Sequence, residues 1–114
     1  MNKEVLKAIN EVNTMFKDNN LVFKLGETNT IDIKRTPTKR LSIDLPFGGG
    51  TPDGRIIELF GQESSGKTTA ALHILAAYQE TQPDKSTAFI DFEHSFDKNY
   101  AKILGVDTDN LIMS

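Results

Sequence analysis

Apolar residues recur at helical spacing from the start of the chain. Val5, Ile9, Val12 and Phe16 follow one another by four, three and four positions, with Leu6 and Met15 flanking the stripe. Lys3, Glu4, Lys7, Glu11 and Lys17 fill the rest of the wheel, and Asp18-Asn19-Asn20 stops the pattern with turn chemistry. The spacing predicts a helix over about residues 2–17. Its stripe must be buried, either in this chain's core or against another chain. Leu21-Val22-Phe23, a Gly-containing turn and Ile31-Asp32-Ile33 follow, the last an alternating segment fit for an edge strand. Pro37 makes what comes next a loop. Residues 41–45 read as one short helical or extended piece, and residues 46–54 as a Gly/Pro-rich turn with three consecutive glycines at 48–50.

From Arg55 the pattern sharpens. Residues 56–60 are apolar except for Glu58 and predict a strand. A helix is expected from about Lys67 to Gln79, with Ala, Leu and Ile on several sides, as for a helix laid on a sheet. Gln82-Pro83-Asp84 breaks the chain. Residues 87–92 form a second apolar strand, residues 97–104 a second helix, and Leu111-Ile112-Met113 opens a third strand. Strand, helix, strand, helix, strand predicts an α/β fold whose parallel sheet is joined by right-handed crossovers.

Between the first of these strands and its helix lies Gly61-Gln62-Glu63-Ser64-Ser65-Gly66-Lys67-Thr68. It fits the phosphate-loop pattern G-x-x-x-x-G-K-[ST] at every fixed position. Gly61 and Gly66 are expected to take backbone angles that a Cβ would forbid, turning successive N–H groups toward a phosphate. The helix start adds unpaired N–H groups and the positive end of its dipole. Lys67 would reach the β- and γ-phosphates as a point charge, and Thr68 would offer its hydroxyl to Mg²⁺, which prefers hard oxygen ligands. A random chain of this length meets the pattern well under ~1% of the time at usual residue abundances.

The second strand ends in Phe89-Ile90-Asp91-Phe92-Glu93-His94. Parallel strands put their C-terminal ends on one edge, so Asp91 and Glu93 approach the side that holds the loop. A nucleotide hydrolase needs a carboxylate there to orient and deprotonate the attacking water. Residues two apart share a face, so one of the pair is expected to look at the site while the other caps or hydrogen-bonds nearby. His94 is read as a hydrogen-bonded structural residue.

Composition adds exclusions. The 114 residues include no Cys, which leaves neither a disulfide framework nor a thiolate metal site. No apolar run approaches the ~18 residues of a spanning helix, and Met1 opens onto Asn-Lys-Glu rather than a signal-peptide core. The expectation is a cytoplasmic location with no membrane partner. Net charge is −3, unevenly spread: residues 1–40 hold eight Lys/Arg against five Asp/Glu, and residues 41–114 five against eleven. Lys34, Arg35, Lys39 and Arg40 form the one basic cluster, read either as a solvated loop or as a patch for phosphate or an acidic partner.

Taken together, these motifs resemble a known family. The run from Gly61 to Thr69, the run Ala88-Phe89-Ile90-Asp91-Phe92-Glu93-His94 and the run Gly105-Val106-Asp107-Thr108-Asp109-Asn110-Leu111 are similar to the N-terminal third of the bacterial RecA recombinases and their phage relatives. Leu25-Gly26, Leu41-Ser42-Ile43-Asp44 and Gly54-Arg55-Ile56 agree in order and spacing, so the likeness covers nearly the whole chain.

The resemblance implies a P-loop NTPase fold: a RecA-like parallel sheet with flanking helices, preceded by an N-terminal helix. Residues 1–35 would make protomer–protomer contacts and residues 36–114 an incomplete ATP-binding core. It implies a DNA-dependent ATPase that forms homo-oligomeric filaments on single-stranded DNA, pairs it with homologous duplex DNA and exchanges strands in recombination and repair. By position, Gly61, Gln62, Glu63, Ser64, Ser65, Gly66, Lys67, Thr68 and Thr69 would bind ATP and Mg²⁺, with Glu93 activating the water. Asp97 and Tyr100 would lie against the adenine. The basic cluster would sit beside a subunit contact rather than on DNA. Gln62 and Lys98 stand where the family usually has Pro, and Phe92 and Phe96 are bulkier than its usual occupants. The family's second Asp-bearing strand, which supports Mg²⁺, its DNA-gripping loops and its C-terminal domain would follow Ser114, so the fragment alone is expected to be inactive. The competing readings are another phosphate-loop ATPase, such as a helicase-like motor or a kinase, and a non-enzymatic module that docks on recombinase filaments.

Overall fold

The structure, a computed structural model, describes residues 2–17, 21–24, 26 and 32–114. It comprises two compact units, residues 1–32 and residues 33–114.

In the first unit the helix α1 spans Lys3–Met15. Asn2 supplies its N-cap, the side-chain carbonyl accepting from the Glu4 N–H at 3.1 Å. Glu4 puts negative charge in the first turn, where the helix dipole favours it. Ile9 and Val12 are half-buried, whereas Val5 and Phe16 at the ends of the stripe are exposed. The buried residue of α1 is a polar one. Asn13 donates from Nδ2 to the Val22 carbonyl and accepts the Val22 N–H at Oδ1, both at 2.9 Å. Its amide thus stands in for a backbone peptide and pins the returning chain to the helix. The expected edge strand at 31–33 loses its first residue, Ile31, to the segment outside the described residues. Asp32 and Ile33 carry no strand pairing.

The second unit opens with β1, Arg35–Thr36, which pairs antiparallel with β2, Thr51–Pro52, in the register Arg35↔Pro52 and Thr36↔Thr51. Between them the short helix α2 covers Leu41–Asp44 and leads into the triple glycine. Gly50, at φ +149°, brings the two backbones together: a Cβ there would sit 2.7 Å from the Thr36 carbonyl carbon. Only a residue without a side chain permits that approach.

The helix α3 covers Lys67–Thr81, β3 Thr87–Phe89, α4 Lys98–Ile103 and β4 Leu111–Met113. β3 and β4 pair in parallel, Thr87↔Leu111 through Phe89↔Met113, as the alternation of strands and helices predicts. Two further bonds, Ser114 N–H to Phe89 O and Asp91 N–H to Ser114 O, carry the ladder past the last strand residues. The core is small. Leu72, Ala101 and Val106 form its buried centre, with Leu75, Ala76, Phe89, Phe96, Leu104 and Leu111 packed around it. The rings of Phe89 and Phe96 meet at a centroid distance of 5.2 Å and an interplanar angle of 51°.

One expected strand does not form. Residues 56–60 are paired to no strand, although they alternate as a strand should. Ile57 and Leu59 are half-buried, while Ile56 and Phe60 are exposed. Ile57 and Leu59 line an apolar cleft of about 320 Å³ together with Ala71, Ile74, Leu75 and Tyr78 of α3 and Thr87 and Ala88 of β3.

Polar groups tie the β1–β2 pair to α3. The Asp53 carboxylate accepts from the Thr36 hydroxyl at 2.8 Å, the Tyr78 hydroxyl at 2.9 Å and the Gln82 amide at 3.3 Å. The Thr36 hydroxyl, Tyr78, Lys34 and Lys85 favour the charged form and hold this carboxyl below its ordinary value. A depressed folded-state pKa contributes stability above the unfolded value, lost as pH falls through the folded one. The domain is therefore expected to lose stability as pH drops below about 4, the ordinary Asp range. Asp53→Asn should lower stability at neutral pH and flatten that acid dependence, read by circular dichroism melts across pH. An acid transition as steep in Asp53→Asn as in the parent chain would remove Asp53 from the account.

Candidate functional site

The loop of residues 61–66 carries the chain into α3. Gly66 caps the helix at φ +90°, in the left-handed region, with nothing near the position of a Cβ. Ser64 also takes a left-handed φ, of 59°. Gly61 corrects the expectation that both fixed glycines serve left-handed angles. It takes no positive φ, and the constraint is contact: a Cβ would meet the Ser65 hydroxyl oxygen at 2.7 Å. One glycine provides conformation and the other provides room.

Lys67 Nζ donates to the carbonyls of Gly61 at 3.0 Å and Gln62 at 2.8 Å. The ammonium thus closes over its own loop, held by acceptors that an incoming anion would outcompete. Glu63, Ser64, Ser65, Gly66, Lys67, Thr68 and Thr69 line a cavity of about 510 Å³, and Glu93 joins them from the end of β3. The two carboxylates beyond that strand divide. Asp91 accepts the Phe96 N–H at 2.8 Å and braces the turn, whereas Glu93 reaches the cavity.

Asp97 is the N-cap of α4, accepting the N–H groups of Asn99 at 2.8 Å and Tyr100 at 3.0 Å. Tyr100, on the first turn of that helix, has its hydroxyl 3.2 Å from the Thr69 hydroxyl. Residue 100 is thereby brought to the second residue past Lys67, though 31 positions apart in sequence. His94 departs from its expected role. It is exposed, takes a left-handed φ of 52° and has no hydrogen-bond partner among the described residues.

Among the described residues no group of three His, Asp or Glu side chains is placed to hold a metal ion. What the cavity offers is hard oxygen: the Thr68 hydroxyl and the Glu93 carboxylate. That set suits Mg²⁺ brought in with a polyphosphate, because Mg²⁺ takes few protein ligands and keeps phosphate oxygens and waters for the rest.

Sequence reasoning missed the β1–β2 pair and the Asp53 network that joins it to α3. The signal was the triple glycine, which marks a close backbone approach as well as a turn.

A cation-closed loop at a helix start thus shares one cavity with a carboxylate from the turn beyond β3, in an α/β unit. The family model of the RecA N-terminal domain matches residues 3–114, and the chain belongs to the RecA family. It is 49% identical to Protein RecA of Clostridium novyi over 118 aligned positions, covering 100% of this chain and 33% of that protein. Against Protein RecA of Clostridium tetani it is 50% identical over 119 positions, with the same coverage. Against that of Gloeobacter violaceus it is 46% identical over 111 positions, covering 95% of this chain and 30% of the relative. The chain spans about a third of the length of the curated relatives it matches. No described helix is long and apolar enough to cross a membrane.

Proposed function

We propose that these residues are the ATP-binding part of a RecA-type recombinase, a P-loop ATPase that assembles on single-stranded DNA, pairs it with homologous duplex and exchanges strands. The observation that carries the reading is the single cavity lined by the loop residues 63–69 together with Glu93. Loop N–H groups and the start of α3 would take the phosphates, and Lys67 would leave the Gly61 and Gln62 carbonyls to meet the β- and γ-oxygens. Bound Mg²⁺ would neutralise charge developing on the phosphates, with the Thr68 hydroxyl among its ligands. Glu93 would orient and deprotonate the attacking water. Tyr100, fixed by the Asp97 cap and the Thr69 hydroxyl, would offer its ring to the adenine, with Asp97 beside it. The exposed Val5 and Phe16 ends of the α1 stripe would be covered by a neighbouring protomer of the filament.

Nucleotide binding is assigned to this chain, and turnover and DNA handling to the whole protein. The test is therefore a chimera in which these residues replace the matching third of the Clostridium tetani relative. Glu93→Gln should leave equilibrium binding of ATP within about threefold and reduce DNA-stimulated phosphate release by about 10²–10⁴-fold, the range for loss of a general base. Release that survives Glu93→Gln at the parent rate would move the base elsewhere.

A further inference from the structure

The basic cluster finds no role in the nucleotide site. Lys39 and Arg40 lie on the turn before α2, and that turn is firmly built. Asp44 Oδ1 accepts the Thr38 N–H at 2.8 Å and the Thr38 hydroxyl at 2.7 Å, and the Arg40 N–H donates to the same hydroxyl at 3.2 Å. Lys39 takes a left-handed φ of 62°, which turns the two basic residues apart from a regular course. Thr38, Lys39 and Arg40 form one wall of a cavity of about 380 Å³. His73, Ala76, Ala77 and Glu80 of α3 form another, and Leu104 and Gly105 close it at the end of α4.

The charges around this cavity do not balance. Lys39 is paired with Glu80, the one carboxylate in the lining. The Arg40 guanidinium has neither a hydrogen bond nor an ion pair among the described residues, and the half-buried His73 imidazole has no hydrogen-bond partner there. Both face the same space. Burial, and then the charge of Arg40, hold His73 below its ordinary value. The leftover donors are a planar guanidinium fork, suited to two oxygens at once, and an imidazole that becomes a second donor cation on protonation.

We infer that the cleft between the Thr38–Arg40 turn, α3 and the end of α4 is an oxyanion-binding site, separate from the loop of residues 61–68, that takes a phosphate monoester group. A phosphate monoester presents three acceptor oxygens, enough for both arms of the Arg40 fork and the His73 imidazole together, whereas one carboxylate offers two. The groups facing the bound anion are Arg40 and Lys39 from the turn and His73 and Glu80 from α3; the residues lining from α4 and its end are uncharged. The bound anion should raise the His73 pKa relative to the free chain.

The test is a titration of the full chain with inorganic phosphate and with phenyl phosphate, following the imidazole proton signals of His73 by NMR and using exposed His94 as an internal reference. The same titration on Lys67→Ala removes phosphate held by the nucleotide loop. Saturable movement of the His73 signals is expected in both chains, with His94 unmoved in Lys67→Ala, and weaker binding by about tenfold or more in Arg40→Gln, the loss of charge-assisted bonds. An Arg40→Lys variant, keeping charge without the fork, should recover part of the affinity. A His73 response that does not saturate, that vanishes in Lys67→Ala, that is unchanged in Arg40→Gln, or that acetate reproduces at equal concentration would overturn the assignment.

Discussion

Alanine at position 67 is expected to reduce triphosphate binding by about 10²-fold or more while leaving the melting transition of the chain nearly unmoved. The magnitude follows from what the ammonium does in the free protein. It is held at 3.0 Å and 2.8 Å by the Gly61 and Gln62 carbonyls, two neutral acceptors belonging to the loop itself. Exchanging them for two anionic phosphate oxygens replaces neutral acceptors by charged ones, about twice as strong per bond. Losing two charge-assisted bonds at about 1.5–3 kcal/mol each accounts for a deficit of 10²-fold or more. Stability is spared because the carbonyls that Lys67 releases lie on an exposed loop, where water replaces the ammonium. Fluorescent-nucleotide titration beside thermal denaturation separates the two effects. Unaltered nucleotide affinity in Lys67→Ala would remove residues 61–68 as the phosphate site. A large fall in melting temperature would instead make the lysine a structural clasp of the loop. Arginine at the same position keeps the charge but not the compact shape, and should recover little.

Much of this site can be read from the chain because the chemistry is local. Glycine, lysine and threonine at fixed spacing dictate a loop that ends in a helix start, and α3 begins at Lys67 itself. A period of two would put Asp91 and Glu93 on one face, and their split comes instead from the turn beyond β3, where Asp91 accepts the Phe96 N–H and Glu93 reaches the cavity. The different duties of Gly61 and Gly66 could not be separated by type, since a left-handed φ and a close contact select the same residue. Non-local pairing was less accessible. Residues 56–60 have the apolar composition of a strand, but a strand is defined by its neighbour, and composition reports only on burial. Conversely, β1 and β2 are two residues each, with Pro52 at an edge, too short for any period to show. What identifies them is a glycine that lets backbones meet and a carboxylate, Asp53, with three donors converging on it from Thr36, Tyr78 and Gln82. Those donors are separated from it by 17 to 29 positions, and no local pattern links them.

The second large effect is on folding. Leu72→Ala is expected to destabilise residues 33–114 by about 2–5 kcal/mol, the range for truncating a buried leucine when its surroundings cannot fully collapse. Leu72 is 2% exposed on the middle of α3, and its companions at the centre are Ala101 and Val106. Neither of the two can extend a side chain into the space a lost isobutyl group leaves. The consequence is large because the core is so small. Total stability of a domain is usually about 5–15 kcal/mol, and a unit whose buried centre is one leucine, one alanine and one valine belongs toward the low end. For a unit of this size each kcal/mol moves the midpoint by roughly 4–8 °C, so a fall of more than about 10 °C is expected by circular dichroism. Ile103→Ala is the matched control: the same class of truncation on α4, at a residue 81% exposed, should cost less than about 0.5 kcal/mol. Equal losses in the two variants would mean that the centre around Leu72 does not hold the domain together. If the Leu72 variant loses its cooperative transition while the Ile103 variant keeps it, the loop of residues 61–66 stands on that centre too, because α3 carries both Lys67 and Leu72.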